Sequence, residues 1–410
     1  MGEQSMSAPR FTDDKNYYIY NQYGDNTMEP IGPIGIIAHN LSRDFSDSVN
    51  YFLRNRRSIY LARHPELSQN PGFIRADYRI SVSTPRYSSG EGKAIISQSV
   101  RGHDLFIITD VLNYDCYYER YGQTVSMSPD DHYQDLVRIV QAAGGKARRI
   151  NLIMPYLYEG RQYRRGARES LDCAAMLKEL FSLGIQSLLT FDAHEPRIVN
   201  AVPTENLENL ASSYQIIESM VHAVPDLKLD REHFMVVSPD EGGVPRAMYY
   251  ASMLEVPLGI FYRKLDYHQV IQGRNPIVGL EFLGEDVHGL DILLIDDMIV
   301  SGDSLLHIAR ELKTRGARRI FCAATFAQFT SGVEHVNEAY RDGIIDKVFA
   351  TNLIYRRPEL LNAPWYVDVS MSRFVALLID AINHDASLSK LISPTEKIQK
   401  LLDFYKRRQS

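Results

Sequence analysis

Cysteine is scarce: Cys116, Cys173 and Cys322 lie far apart in 410 residues, with no CxxC pair. That spacing excludes a disulfide framework and a thiolate metal site, and it points to free thiols in a reducing compartment. Tryptophan occurs once, at Trp365 in "NAPWYVDVS", and reads as a core residue. No apolar run approaches the roughly 20 residues of a membrane-spanning helix. The start, "MGEQSMSAPRFTDDKNYY", lacks a basic segment followed by an apolar one, so a cytoplasmic protein with no membrane partner is expected. Positive charge is not in excess either. A net charge of −6 gives no support to general nucleic-acid binding. Against that background one basic segment stands out, "GRQYRRGAR" from Gly160 to Arg168.

What is present suits a folded protein: 45% apolar and 23% charged residues, in a chain long enough for two domains. Residues 1–30 are polar and read as an extension. The ordered pattern begins at "PIGPIGIIAHN". "DLFIITDV", Asp104 to Val111, is a strand-length apolar run. "NYDCYYERYGQTVSMSPDDH" reads as an excursion before the helix "YQDLVRIVQAAGG", in which Leu136, Ile139 and Val140 share one face and Gly144 suits a C-cap.

From Arg149 one unit recurs: apolar strand, polar loop, amphipathic helix, next strand. "INLIMPYL" leads through the basic loop to "LDCAAMLKELFSLG" and "IQSLLTFDAH"; "HFMVVSPD" leads through "EGGVPR" to "AMYYASMLE" and "VPLGIFY". "DILLIDD" leads through "MIVSGDS" to "LLHIARELKTRG", where Leu305, Ile308, Ala309 and Leu312 keep helical spacing, and to "IFCAATF". Such alternation predicts an α/β fold, with mainly parallel sheets covered by helices on both faces. The weakly patterned stretch from Glu205 to Asp230 divides a first domain, residues 31–215, from a second, 216–410.

In such sheets ligands bind beyond the carboxyl ends of the strands. Asp296, Asp297, Asp240, Asp192 and His194 all fall there. Carboxylates at that edge face water, a metal or sugar hydroxyls and so incur no burial cost, while "VSGDS" opens a helix whose N-terminal amides favour phosphate. Together they suggest a sugar phosphate. The plainer alternative is that Asp303 and Ser304 only cap the helix. Likewise His194 could be a packing histidine at a strand end, and Arg161, Arg164 and Arg165 a solvated basic face.

The conjunction is more specific. "DILLIDDMIVSGDSLLHIARELKTRGARRIFCAATF" resembles the phosphoribosyl diphosphate (PRPP) loop of ribose-phosphate pyrophosphokinases, the PRPP synthases. "SVRGHDLFII", "PYLYEGRQYRR", "TFDAHEPRI" and "SPDEGGVPRA" are similar to that family's successive blocks, in order, from about Ile34 to Phe326 with one insertion near Tyr114 to Met127. The resemblance implies two phosphoribosyltransferase-like domains and transfer of the pyrophosphoryl group of ATP to O1 of ribose 5-phosphate, with Mg2+ as cofactor. It implies that Asp296, Asp297, Ser301, Gly302, Asp303 and Ser304 bind ribose 5-phosphate, and that Asp240, Gly242, Gly243 and Arg246 form a pyrophosphate loop. Arg161, Gln162, Arg165 and His194 would contact ATP, and His194 and Asp240 would serve the metal. "RYSSGE" would supply Tyr87, Ser89 and Glu91 to an adenine site completed by a neighbouring subunit, hence a homo-oligomer.

Four positions depart from the family pattern. "FYRKLDYH" puts Arg263 where the family has Lys, Lys264 between, and Leu265 where it has Arg; Val300 and Ser89 replace acids. A leucine cannot stabilise developing charge on a phosphoryl group. The reading adopted has Arg263 and Lys264 catalytic in a mobile loop, helped by Arg274. The alternative is an impaired paralogue that binds the same ligands as a regulatory subunit. A PRPP-consuming transferase is weaker still, since it needs one such domain and no "GRQYRR" block.

Overall fold

A computed structural model of the chain describes residues 29–166, 168–265 and 277–409. The first sheet is built from β1 (Ile34–His39), β4 (Asp104–Thr109), β7 (Arg149–Ile153), β8 (Ser187–Phe191) and β9 (Asn206–Leu210), parallel throughout and adjacent in that order. The short strands β2 (Val82–Ser83) and β3 (Ile95–Ile96) pair beside it. The second sheet has the order β12-β11-β10-β13-β14-β15-β16. Its strands are β10 (Phe234–Ser238), β11 (Leu258–Leu265), β12 (Ile277–Leu283), β13 (Asp291–Ile299), β14 (Arg319–Ala327), β15 (Lys347–Thr351) and β16 (Tyr366–Val369). All its pairings are parallel except β12 on β11.

Alternation along the buried strands sorts side chains into three apolar layers. Leu105 and Ile107 of β4 face an outer layer with Leu136 of α2 (Pro129–Ala143) and Leu177 of α3 (Asp172–Ser182). Met235 and Val237 of β10 face the opposite outer layer with Ile308 of α6 (Asp303–Thr314), Val336 of α7 (Glu334–Arg341) and Trp365. Between the sheets one shared core holds Phe106, Ile108, Phe234 and Val236. Helices α1 (Arg43–Arg63), α4 (Ser213–Ala223), α5 (Val244–Leu254), α8 (Ser372–Asn383) and α9 (Thr395–Gln409) contribute Leu53, Ile217, Leu254, Leu378 and Leu402 to it. The two halves are thus joined by apolar packing, reinforced where the buried Arg57 of α1 donates to Asp380 (2.9 Å) of α8.

Several sequence expectations change. The excursion near Tyr114 is ordered: β5 (Tyr117–Arg120) and β6 (Gln123–Ser126) form a hairpin whose two-residue turn, Tyr121 and Gly122, has positive φ at both positions, as such turns require. Helix α2 begins four residues before the predicted segment, because "SPDD" is a capping box: Ser128 Oγ accepts from Asp131 N–H (3.2 Å) and Asp131 accepts from Ser128 N–H (3.0 Å). Residues 206–223, read as weakly patterned, form β9 and α4, so the expected 215/216 division falls inside a helix. Arg263–Leu265 are not loop residues: β11 carries them in register with β12, an antiparallel edge strand over "IVGLEFL". Arg274 lies outside the described residues, as do residues 1–28 of the extension. The three cysteines are free, Cys173 and Cys322 buried, and Trp365 is core. Among the described residues no helix is long and apolar enough to cross a membrane.

Candidate active site

In the second sheet the chain moves outward one way from β10 to β11 and the other way from β13 to β14, so β10 and β13 flank a topological switch point. Pairing of β13 with β10 ends at Leu294, while pairing with β14 continues to Ile299. Asp296 and Asp297 therefore lie on the part of β13 that is free of β10, above the loop Pro239–Gly243. That loop closes on itself: Asp240 Oδ1 accepts from Gly243 N–H (3.0 Å) and Ser238 Oγ donates to Asp240 O (2.7 Å). A Cβ on Gly243 would come within 2.8 Å of Ser238 Oγ, so any larger residue there must displace that hydroxyl. Gly242 precedes it, exposed, with the Asp240 carboxylate 3.3 Å from where its Cβ would stand. From α5, Arg246 reaches back to Asp296 Oδ1 (4.0 Å) and Asp297 Oδ1 (3.9 Å), tying the loop to the carboxylates.

The expectation that these carboxylates face water holds in part for Asp296 and fails for Asp297. Asp297 is buried, at 4% exposure. Its Oδ2 accepts from His194 Nδ1 at 2.7 Å, across the junction between the two sheets. Burial works against an ionised Asp297, but the His194 hydrogen bond and the Arg246 charge outweigh it and hold the carboxyl below its ordinary range. Asp296 goes the other way: burial, then its neighbour Asp297, push it up. His194 is raised, chiefly by the Asp297 bond and against its own burial; Arg161 lowers it. Acid pairs pushed in opposite directions within a cleft are concentrated at functional sites.

Beyond β13, Gly302 stands at the N-cap of α6 with φ 97°, and no side chain caps the helix. The capping role considered for Asp303 and Ser304 is therefore not taken. Asp303 is 73% exposed, Ser304 is exposed, and Ser301 Oγ accepts from Asp303 N–H (3.3 Å). Apart from the Asp303 N–H, the first N–H groups of the helix receive no side chain and can meet an anion a few residues from the two carboxylates. Opposite, on the first domain, the loop after β7 carries Arg161, exposed, and Tyr163, whose ring lies 6.0 Å from His194. Tyr156, Gly160, Phe191 and His194 meet Met298 and Phe326 of the second domain along a narrow crevice.

Two family models match the chain: the N-terminal domain of ribose phosphate pyrophosphokinase at residues 62–184 and the phosphoribosyl transferase domain at residues 203–352. The ribose-phosphate pyrophosphokinase of Shewanella oneidensis is 31% identical over 312 residues, covering 75% of this chain and 89% of that protein. The chain belongs to the ribose-phosphate pyrophosphokinase family. Membership makes it an enzyme, a transferase. The Vibrio parahaemolyticus pyrophosphokinase is 30% identical over 336 residues, 80% of this chain and 96% of its own. A crystal structure of phosphoribosylpyrophosphate synthetase from Mycobacterium smegmatis shares the fold at TM-score 0.64 and 19% identity, covering 86% of this chain and 99% of that one.

Other predicted site residues of this pyrophosphokinase-family chain are less gathered. Gln162 spends its amide N–H on Arg164 O (3.2 Å) and Ser170 O (3.0 Å), bracing the basic loop, while Arg165 is exposed. Tyr87, Ser89 and Glu91 sit on a solvent-facing turn: Tyr87 is 56% exposed and Ser89 Oγ donates to Glu91 (3.0 Å). The turn's contacts are with Lys93 and the β5–β6 hairpin, not with the surroundings of His194. Asp192 is structural. Its Oδ2 accepts from Ser212 Oγ and Thr325 Oγ1, both at 2.6 Å, knotting β8 to α4 and β14.

Sequence reasoning missed His335. From α7 its Nε2 meets Ser301 O (3.0 Å) and lies 3.1 Å from where a Gly302 Cβ would stand, so it supports the phosphate loop from behind. No local pattern marks a histidine more than thirty residues downstream. Among the described residues no three His, Cys, Asp or Glu side chains gather as a cation site. The Asp240 carboxylate fits a hard cation held mainly by phosphates and water, whereas the His194 ring nitrogen suits such an ion only through a bound water.

Proposed function

We propose that the chain transfers the pyrophosphoryl group of ATP to O1 of ribose 5-phosphate, forming PRPP and AMP in the cytoplasm. The observation that carries this reading is the pairing, at one switch point, of two opposed carboxylates with an uncapped helix N-terminus: Asp296 and Asp297 for ribose hydroxyls, Ser301, Gly302, Asp303 and Ser304 for the 5-phosphate. ATP lies along the basic loop, with Arg161 and Arg165 on its phosphates, Gln162 bracing them and His194 turning from Asp297 to a phosphate oxygen. Asp240, Gly242, Gly243 and Arg246 cradle the transferring group. The O1 hydroxyl attacks the β-phosphorus and gives up its proton to solvent, the bond to the α–β bridging oxygen breaks and AMP departs. Little covalent chemistry is asked of the protein; positioning and charge do most of the work.

Mg2+, when bound, neutralises the phosphate oxygens; Asp240 would hold it directly and His194 through water. Arg263 and Lys264, at the end of β11, supply positive charge to the transferring group, on sequence grounds. The half built on the first sheet contributes the nucleotide side and the half built on the second sheet the ribose side. The solvent-facing Tyr87–Glu91 turn supports an adenine site completed by a second copy, hence a homo-oligomer.

Leu265, in place of a cation, favours a second reading: a ligand-binding regulatory subunit without turnover. Incubating the purified chain alone with ATP, ribose 5-phosphate and Mg2+ decides between them. Equimolar AMP and PRPP are expected; bound ligands with neither product would establish the regulatory subunit instead.

A further inference from the structure

The turn Tyr87–Glu91 is tightly made. Gly90 N–H reaches Tyr87 O and Tyr87 N–H reaches Glu91 O, both at 2.8 Å, and Gly90 has φ 99°. This is a turn closed by a left-handed glycine, which fixes where the flanking side chains point. Yet Tyr87 and Glu91 face solvent, so nothing of their own holds the turn against the body of the domain.

The β5–β6 hairpin does hold it. Tyr121 N–H donates to Ser88 O at 2.9 Å, and Arg120 Cδ packs 3.0 Å from where a Gly90 Cβ would stand. Alternation along β5 sends Tyr117 out, at 57% exposure, and Tyr118 in. The Tyr118 ring lies 5.0 Å from the guanidinium of Arg86, the residue just before the turn. Arg86 in turn donates to Asp135 of α2 at 2.5 Å, with side chains 5% and 0% exposed. At the hairpin's root, Tyr114 packs edge-on against Tyr355 (5.2 Å) of the second domain, beneath the Arg357 guanidinium (4.8 Å). The hairpin thus runs from the domain junction to the turn.

We propose that the β5–β6 hairpin is a positioning element for the nucleotide site: through Tyr118 on Arg86 it fixes the turn that presents Tyr87 and Glu91 to ATP. The proposal rests on the nucleotide role given above to that turn. Tyr118 touches no substrate in this scheme and acts through Arg86.

The test compares Tyr118→Ala and Tyr118→Phe in the full chain. Without ligand, amide hydrogen exchange at Tyr87, Gly90 and Tyr121 should quicken about tenfold in the alanine variant, the size of one lost cation–π contact. KM for ATP should rise by a similar factor, with kcat and KM for ribose 5-phosphate unchanged. The phenylalanine variant keeps the ring over Arg86 and loses only the long hydroxyl contact to Asp131 (3.4 Å), so it should match wild type in both. Unchanged exchange in the alanine variant overturns the proposal while leaving the nucleotide reading intact. Faster exchange with an unchanged KM for ATP overturns it through that reading, since a loosened turn would then not touch ATP. Equal rises in both KM values overturn it as well, because they mark a general loosening.

Discussion

Replacing Asp297 with asparagine isolates what the buried carboxylate does. Arg246 lies 3.9 Å away, which at an effective dielectric of about 20 amounts to roughly 4 kcal/mol of gross attraction. Most of that is offset by desolvation and by repulsion from Asp296. Asparagine keeps an oxygen for His194 and leaves Arg246 with Asp296 at 4.0 Å, so the fold should lose only about 1–2 kcal/mol. Ligand binding should suffer more. A carboxylate that accepts from ribose hydroxyls contributes about 1.5–3 kcal/mol, so ribose 5-phosphate affinity should fall roughly 10- to 150-fold by calorimetry.

The variant also changes pH dependence. His194 is raised above 6.5 chiefly by Asp297, so in the wild type that contribution is full below 6.5 and fades as pH rises through the raised value. Asp297 is depressed from 3.8, so its contribution is present above 3.8 and fades as pH falls through the lowered value. The Asp297→Asn protein should lose both edges and show a flatter stability profile, with the His194 titration, followed by NMR, shifted down. An affinity within threefold of wild type, or an unmoved His194, would refute the assignment.

Arg57→Ala strips Asp380 of a buried partner, leaving Arg56 (2.5 Å) at the edge, and should cost about 3–5 kcal/mol in urea unfolding; a loss under about 1 kcal/mol would mean the α1–α8 contact is not a pair that matters. Gly243→Ala forces a methyl to 2.8 Å from Ser238 Oγ, and should cost about 1–3 kcal/mol and weaken ATP binding; normal values for both would show that the loop gives way freely. Changing Arg263 and Lys264 together to alanine should cut turnover about 10³-fold while ATP and ribose 5-phosphate still bind by calorimetry; unchanged turnover removes them from the mechanism.

Much of this was legible in the residues. Apolar strands ending in Asp240, in Asp296 and Asp297, and just before His194 marked three carboxyl edges, because burial and charge separate sharply along a parallel strand. The loop "VSGDS" was legible for the same reason. The phase of α6 was nearly right: Ile308, Ala309 and Leu312 are buried as expected, but Leu306 rather than Leu305 is the fourth. Less visible are β12, whose single-edge pairing leaves only a weak alternation, and the capping box at Ser128, which lies within a polar stretch that reads as an excursion. The positive-φ tyrosine of the hairpin turn carries no sequence signal, since tyrosine is not a residue such turns favour.

The sequence by itself determined the α/β class, the parallel sheets and the identity of the groups at their edges, since periodicity and local chemistry are written in neighbouring residues. Only the tertiary structure decided which edges face one another. It buried Asp297 against His194, more than a hundred positions away, set Arg246 over both acids and left α6 uncapped. It also fused the two halves through one apolar core and tied the Tyr87 turn to a hairpin that the sequence presents only as an interruption. These depend on contacts between segments distant in the chain, whose energies come from packing and desolvation that no local pattern encodes.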